Sequence, residues 1–299
     1  MQKTTKAYIA AIGSNFIFGS NYATVKYITP SLIQPFALNV VRVVLSIALF
    51  WILFLFKPGK TKIDKKDIPR FFLCALTGVV INQIMFIKGL SLTTAIHSSL
   101  LSLGTPIFIT IIAAWLLSEK FTMAKGAGLA FGIGGATLLI LMKDNSHTGS
   151  NILLGDIFVL INAISYAFYL VLVRPLMAKY SGIQVLRWVF TIGSLGIIPI
   201  GLPALLQTNW AAFELSHFLA LGFIALGATF VAYMLTVYSI STIGSSATGA
   251  FIYTQPVFAA IIATAFAGEH FNSTKAIAAA LIFTGVYLVN FKKPSANPA

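Results

Sequence analysis

Nearly the whole sequence falls into apolar stretches of about 20 residues, separated by short polar breaks. An α-helix needs about that length of mostly apolar residues to cross a bilayer core. Only 9% of the residues are charged, where a soluble domain carries about 25%. So few charges cannot cover a water-facing surface, and most of the surface must therefore face lipid. A length of 299 residues would suit about two soluble domains, but hydropathy overrides that count.

The stretches predict spans at roughly 7–28, 33–56, 68–87, 95–117, 123–142, 153–174, 183–206, 215–238, 244–266 and 273–291. The breaks are chemically sensible: Thr29-Pro30-Ser31 ends the first, Lys143 to His147 marks the midpoint, and Gln207-Thr208-Asn209 ends the seventh. The expected fold class is all-α integral membrane, with ten transmembrane helices and both termini on one side. Basic residues favour the cytoplasmic side. Cytoplasmic termini put fifteen lysines and arginines on that side, among them Lys57, Lys60, Lys62, Lys65, Lys66, Arg174, Lys179 and Arg187. Four fall on the other side: Lys26, Lys88, Lys143 and Lys275. A bacterial-type inner membrane, multi-pass and with cytoplasmic termini, is the expected location.

The net charge of +13 invites a nucleic-acid reading, but the basic residues cluster at span ends. That is the pattern of topology and anionic lipid contact, so the bilayer is the expected partner and nucleic acid is not. Cys74, the single cysteine, rules out a disulfide framework. The first apolar run continues to about Ile28 without a small-residue cleavage site, and reads as a retained first span.

Shifting the fourth and fifth spans by 150 residues lays them on the ninth and tenth. Pro106 meets Pro256, Phe108 meets Phe258, Glu119 meets Glu269, Lys125 meets Lys275 and Gly135 meets Gly285. Paired prolines, glutamates and lysines at one offset are not a compositional accident. The chain therefore divides into residues 1–146 and 147–299, each a five-helix unit. Five is odd, so the second unit enters the membrane from the opposite side. Inverted pairs of this kind belong mainly to transporters, with a central cavity near the midplane.

Several segments resemble the drug/metabolite transporter superfamily, in its EamA-like branch. They are Phe18-Gly19-Ser20-Asn21-Tyr22-Ala23-Thr24-Val25-Lys26, Arg42 within Leu38 to Arg42, and Lys88 to Ala95. Thr105-Pro106-Ile107-Phe108, Ser118 to Thr122, Gly155 to Phe158, Tyr166 to Arg174, Tyr253 to Pro256 and Gly268-Glu269 continue the likeness over nearly the whole chain. The resemblance implies a ten-helix bundle around a cavity, and export of amino acids, other metabolites or toxic compounds. The first signature usually has Trp where this chain has Phe18, so an indole donor is lost.

Polar groups inside spans are expensive and face a cavity or another helix. The candidate cavity residues are Asn21, Arg42, Gln83, His97, Ser99, Asn162, Tyr166, Tyr169, Tyr233, Tyr253 and Gln255. Arg42 reads as a cavity or gate cation, or as a snorkelling side chain held by backbone carbonyls. His97 could carry a proton, which would make protons the coupling ion; its repeat mate is Ala247, so symmetry does not demand it. Asn162 and Tyr166 share a helix face, with Tyr169 next to it. Pro106 and Pro256 are hinge candidates, because proline frees a carbonyl four residues earlier. All seven acidic residues fall at loops or span ends, which leaves no mid-membrane carboxylate; Glu119 and Glu269 read as span-end residues that cap or position the next helix.

No catalytic set, metal cluster or cofactor motif is present, so an enzyme is not expected. The leading expectation is a transporter that exports a small organic metabolite or drug-like compound, amino-acid-like or weakly polar, by alternating access. An importer or exchanger, or a membrane protein that transports nothing, are the alternatives.

Overall fold

The protein is described here by a computed structural model covering residues 3–56, 63–117, 123–141, 149–236, 238–239, 242–243 and 251–290. Every described element is helical. Helices α1 (Lys3–Ile28) and α2 (Pro35–Phe56) come first. Next are α3 (Ile68–Ala75), α4 (Asn82–Leu92), α5 (Ala95–Ser102), α6 (Thr105–Leu117) and α7 (Met123–Leu141). The second half holds α8 (Ile152–Leu172), α9 (Arg174–Lys179), α10 (Gly182–Leu206), α11 (Leu215–Gly222), α12 (Gln255–Phe266) and α13 (Ser273–Asn290). Among the described residues, five helical runs are long and apolar enough to cross a membrane, and four apolar helices are shorter.

Local chemistry sets the helix starts. Pro35 opens α2 without costing a hydrogen bond, since a first-turn N–H has no helical acceptor. The side chains of Thr94, Asn151 and Ser181 accept from backbone amides two or three residues into α5, α8 and α10.

Two features escaped the hydropathy pattern. The third predicted span contains a π-helical segment, Leu76–Ile81, and the eighth contains another, Phe223–Val231. Shifted by 150 residues, the first falls inside the second. In the second, the Thr229 hydroxyl donates to the Ile224 carbonyl five residues back at 2.8 Å, the spacing of a π turn.

Packing joins one half of the chain to the other. Helix α2 lies against α10, α4 against α8, α1 against α12 and α7 against α13. The first π segment packs on α8 and α10, and the second on α1 and α2. Small residues bring backbones together, as expected where lipid supplies no hydrophobic drive between helices. A Cβ on Gly135 would stand 2.8 Å from the Ala278 carbonyl oxygen, and one on Gly285 would stand 2.6 Å from that of Gly128. The outside is apolar: Phe56, Met123, Leu206 and Phe266 are each more than three-quarters exposed. The inside is comparatively polar, and Ser14, Asn15, Ser20 and Asn21 of α1 are all buried.

Gly135 and Gly285 are therefore crossing points and not merely repeated letters. Gly135→Leu and Gly285→Leu are each expected to destabilise the protein by ~1–3 kcal/mol through overpacking. Gly134→Leu, one residue away with nothing within 4 Å of its would-be Cβ, is expected to be neutral. Melting midpoints of the three purified variants in detergent check this.

Candidate functional site

Most of the predicted cavity residues fall into two polar regions. The first lies in the core where both halves meet. Arg42 on α2 is buried, and its Nε donates to Thr229 Oγ1 in the second π segment at 3.0 Å. Asn39, one helical turn earlier, donates from Nδ2 to the Gln83 carbonyl of α4 at 3.2 Å. Asn162 on α8 donates to the Asn82 carbonyl at 2.9 Å. Tyr233 lies within electrostatic reach of Arg42 and Tyr166. Tyr166 and Tyr169 stack with centroids 5.8 Å apart, and Tyr233 packs edge-on to Phe18 and Phe190. The Tyr169 ring fills the space where Gly78 of the first π segment lacks a side chain.

Several polar atoms in this part of the fold are buried without a partner. They are Arg42 Nη1, Gln83 Nε2 and Oε1, Asn39 Oδ1, and Asn21 Oδ1 on α1. A buried polar atom without a partner costs about 1–3 kcal/mol, and more when charged. These groups suit a solute.

The second region lies where α4 ends and α8 begins. Gly155 faces Thr93 and Gly89 so closely that a Cβ on it would stand 2.6 Å from the Thr93 nitrogen. This approach delivers Asp156. Its Oδ1 accepts from the Thr93 hydroxyl, and its Oδ2 stands 3.0 Å from His97 Nδ1. Both side chains of the His97–Asp156 pair are wholly buried. Glu269, between α12 and α13, accepts from the Ala95 and Ile96 amides at 2.6 and 3.0 Å. Lys26 Nζ donates to the Thr93 carbonyl at 2.7 Å. The two free amides at the start of α5 and its partial positive charge favour a carboxylate there.

Asp156 lies near the start of α8, where the sequence put it, and its carboxylate is fully buried and bonded there. Glu269 caps a helix, but not the next one in the chain as expected: it caps α5 of the other half. Its mate Glu119, and Ala247 opposite His97, lie outside the described residues.

The remaining predicted residues sit apart from both regions or serve packing. Gln255 donates from Nε2 to Asn15 Oδ1 at 2.7 Å, tying α12 to α1. Ser99 donates to the Ile96 carbonyl within its own helix. Tyr253 packs edge-on to Phe283. Pro106 and Pro256 stand in the first turns of α6 and α12, each behind a break in the helix. The Thr105 hydroxyl takes up the Ser102 carbonyl that Pro106 leaves free, at 2.7 Å.

Sequence reasoning missed Arg187, which it counted as a cytoplasmic charge. Arg187 lies buried within α10, its guanidinium 3.6 Å from the Phe54 ring centroid and 4.7 Å from that of Trp51. The aromatic run Trp51 to Phe54 one helix away was the available signal. At the opposite end from His97, Asp67 accepts from Lys179 at 3.0 Å and from Tyr180 at 2.8 Å. An apolar cleft of about 140 Å³, lined by Leu101, Phe108, Gly132, Leu160 and Ile282 among others, holds none of the predicted polar residues. Among the described residues, no three His, Cys, Asp or Glu side chains converge as metal ligands do.

Known proteins resemble the chain over its whole length. The model of the EamA-like transporter family matches residues 5–141 and again 153–291. The uncharacterized transporter YetK of Bacillus subtilis is 23% identical, over 100% of this chain and 92% of that protein. A probable terminal-alkyne amino-acid exporter of Streptantibioticus cattleyicolor is 25% identical over 75% of this chain and 74% of that one. One solved crystal structure shares the fold with a TM-score of 0.63 at 18% identity, over 96% of this chain and 97% of the other.

The pairing of His97 with Asp156 is open to a double-mutant cycle. Asp156→Ala strands two buried partners, Thr93 and His97, at ~1–3 kcal/mol each. His97→Ala added to Asp156→Ala is expected to cost at least ~0.5 kcal/mol less than it costs alone. Unfolding free energies in detergent measure this; strictly additive losses would show that the two side chains do not act together.

Proposed function

The chain belongs to the EamA-like transporter family, and on that premise we propose that it exports a small organic solute by alternating access. It is a membrane transporter of this family. In the proposed reading, the helices form ten spans as two inverted five-helix units, residues 1–146 and 147–299. Both termini face the cytoplasm of a bacterial-type cell, and the protein acts as a transporter and not as an enzyme.

One observation carries this reading. Buried polar atoms of α1, α2 and α4 in the first half lie without partners in a core shared with Thr229 and the tyrosines of the second. Two inverted halves that enclose a midplane site can each gate one side of it. Helix pairs that cross between halves support that arrangement, as does the recurrence of the π segment. The Thr93–Asp156–His97 cluster with Glu269 serves as the outer closure. The Asp67–Lys179–Tyr180 cluster serves as the inner one. Pro106 and Pro256, behind their helix breaks, serve as hinges. Protons are the proposed coupling ion, with His97 as their carrier.

Few fixed charges and several tyrosines favour an amino-acid-like or weakly polar solute over a phosphate ester, which would require an arginine cluster. The exporter named for an amino acid supports the same preference.

Uptake into inside-out vesicles, with and without a proton gradient, tests the proposal. Saturable, gradient-dependent uptake of a zwitterionic or weakly polar solute is expected. Saturable uptake of polyanionic phosphates alone would sink the substrate preference, and uptake confined to right-side-out vesicles would make the protein an importer. A His97→Ala variant is expected to lose gradient stimulation; full gradient-driven uptake would remove the histidine from coupling.

A further inference from the structure

We propose that Arg42, with the side-chain amide of Gln83, is the recognition site for a carboxylate group on the transported solute. This rests on the transporter reading above and names the chemistry of its site.

Among the described residues two arginines are buried, each with guanidinium nitrogens that find no hydrogen-bond acceptor, but their surroundings differ. Arg187 lies under the rings of Trp51, Phe54 and Trp188, which face its charge directly. Such contacts are worth up to about 2 kcal/mol where water is excluded. Arg42 has no ring over it and no ion pair with any carboxylate among the described residues. Its one hydrogen bond is the neutral contact from Nε to Thr229. Nη1 is buried and unmet, although the side chain is only 6% exposed. An isolated buried cation is among the most costly groups a protein can hold. Its retention is explained by an anion that arrives and leaves.

The neighbours say which anion. Gln83 is 3% exposed, and both atoms of its amide lack partners. Its backbone carbonyl takes the amide of Asn39, one helical turn from Arg42, and in the proposal its Nε2 is the second donor, so that Arg42 and Gln83 serve the two oxygens of a carboxylate. A phosphate dianion would need more cationic donors than this. Gln83 Oε1, Asn39 Oδ1 and Asn21 Oδ1 are buried acceptors still waiting for a hydrogen. In the proposal they take up a donor on the same solute, an ammonium or a hydroxyl near the carboxylate. Tyr166, Tyr169 and Tyr233 belong to the same hydrophobic cluster as Val40 and Val43, which flank Arg42, and in the proposal their rings face the solute's carbon skeleton. The ligand class is an organic carboxylate with a neighbouring donor, of any skeleton that fits the tyrosines.

The Thr229 bond also fixes the guanidinium's direction. Thr229 belongs to the second π segment, whereas Arg42, Asn39 and Gln83 belong to the first half. Movement of the halves against each other would therefore change the grip on the carboxylate.

The experiment uses the full chain, purified in detergent and reconstituted in proteoliposomes. Its probes are a panel of small organic carboxylates, each paired with its neutral primary amide. The wild type is expected to be stabilised against melting by panel acids at concentrations at least ~10-fold lower than by their amides, and to transport the acids that stabilise it. Arg42→Gln is expected to bring acid and amide within ~2-fold of each other. Without any ligand, Arg42→Gln is expected to raise the melting midpoint, because it removes an uncompensated buried charge. A lower ligand-free midpoint would mark Arg42 as a structural cation and overturn the proposal, whatever the panel shows. Persistence of the acid preference in Arg42→Gln would overturn it equally. Stabilisation by acids without transport of any of them would leave the carboxylate site standing and remove the transporter reading.

Discussion

Two carboxylates from the second half of the chain, Asp156 and Glu269, close around the start of one short helix in the first. In water neither contact would matter much, because solvent would satisfy every group involved. In a bundle sheathed by lipid no such substitute exists. The start of α5 leaves amides unbonded, and Glu269 takes two of them. Asp156 holds Thr93 and His97 just beside it. The break between α4 and α5, which hydropathy alone would make a weak point, becomes the place where the halves grip each other. Gly89 and Gly155 make this possible, since larger side chains would hold the two backbones apart.

The rest of the architecture follows a division of labour between polar and apolar surface. Apolar side chains cover the outside and also fill the clusters between helices, glycines occupy close crossings, and many polar side chains turn inward among them. Many inward groups are spent on their own helix, as Ser46 and Ser99 are, and others on a neighbour: Asn15 on Gln255, Asn162 on a carbonyl of α4, Thr105 on the carbonyl released by Pro106. Arg42 and Gln83 stand out because Nη1 of one and both side-chain amide atoms of the other are not spent. A helix bundle built only for stability would have filled those positions with leucine.

Much of this was legible in the letters. The predicted second span, 33–56, is the helix Pro35–Phe56, and the predicted seventh, 183–206, is Gly182–Leu206. Hydropathy works here because an apolar run in lipid has little choice but to be a helix. The repeat marked Gly135 and Gly285 before any geometry was known. What the letters hid was partnership across long separations: Asn15 and Gln255 are 240 residues apart, and His97 and Asp156 are 59. Asp156 looked like a boundary residue because it lies near the start of its span, and position along a helix says nothing of what covers it. The burial of Arg187 was hidden for the same reason. The π segments were invisible because hydropathy carries no record of a hydrogen bond shifted by one residue.

That shift has a geometric meaning. A π turn holds one residue more than an α turn, so the helix beyond it is rotated by about 100° relative to an uninterrupted one. Gln83 begins just past the first π segment, and Tyr233 just past the second. Which side chains look inward from these two spans is thus a question of phase, settled by a single inserted residue in each. Relaxing either segment to a plain α-helix would turn its downstream face by the same angle and present a different set of groups to the interior. The two insertions work like the offset of a dial: the letters written around the helix stay the same, and the extra residue decides which of them are read.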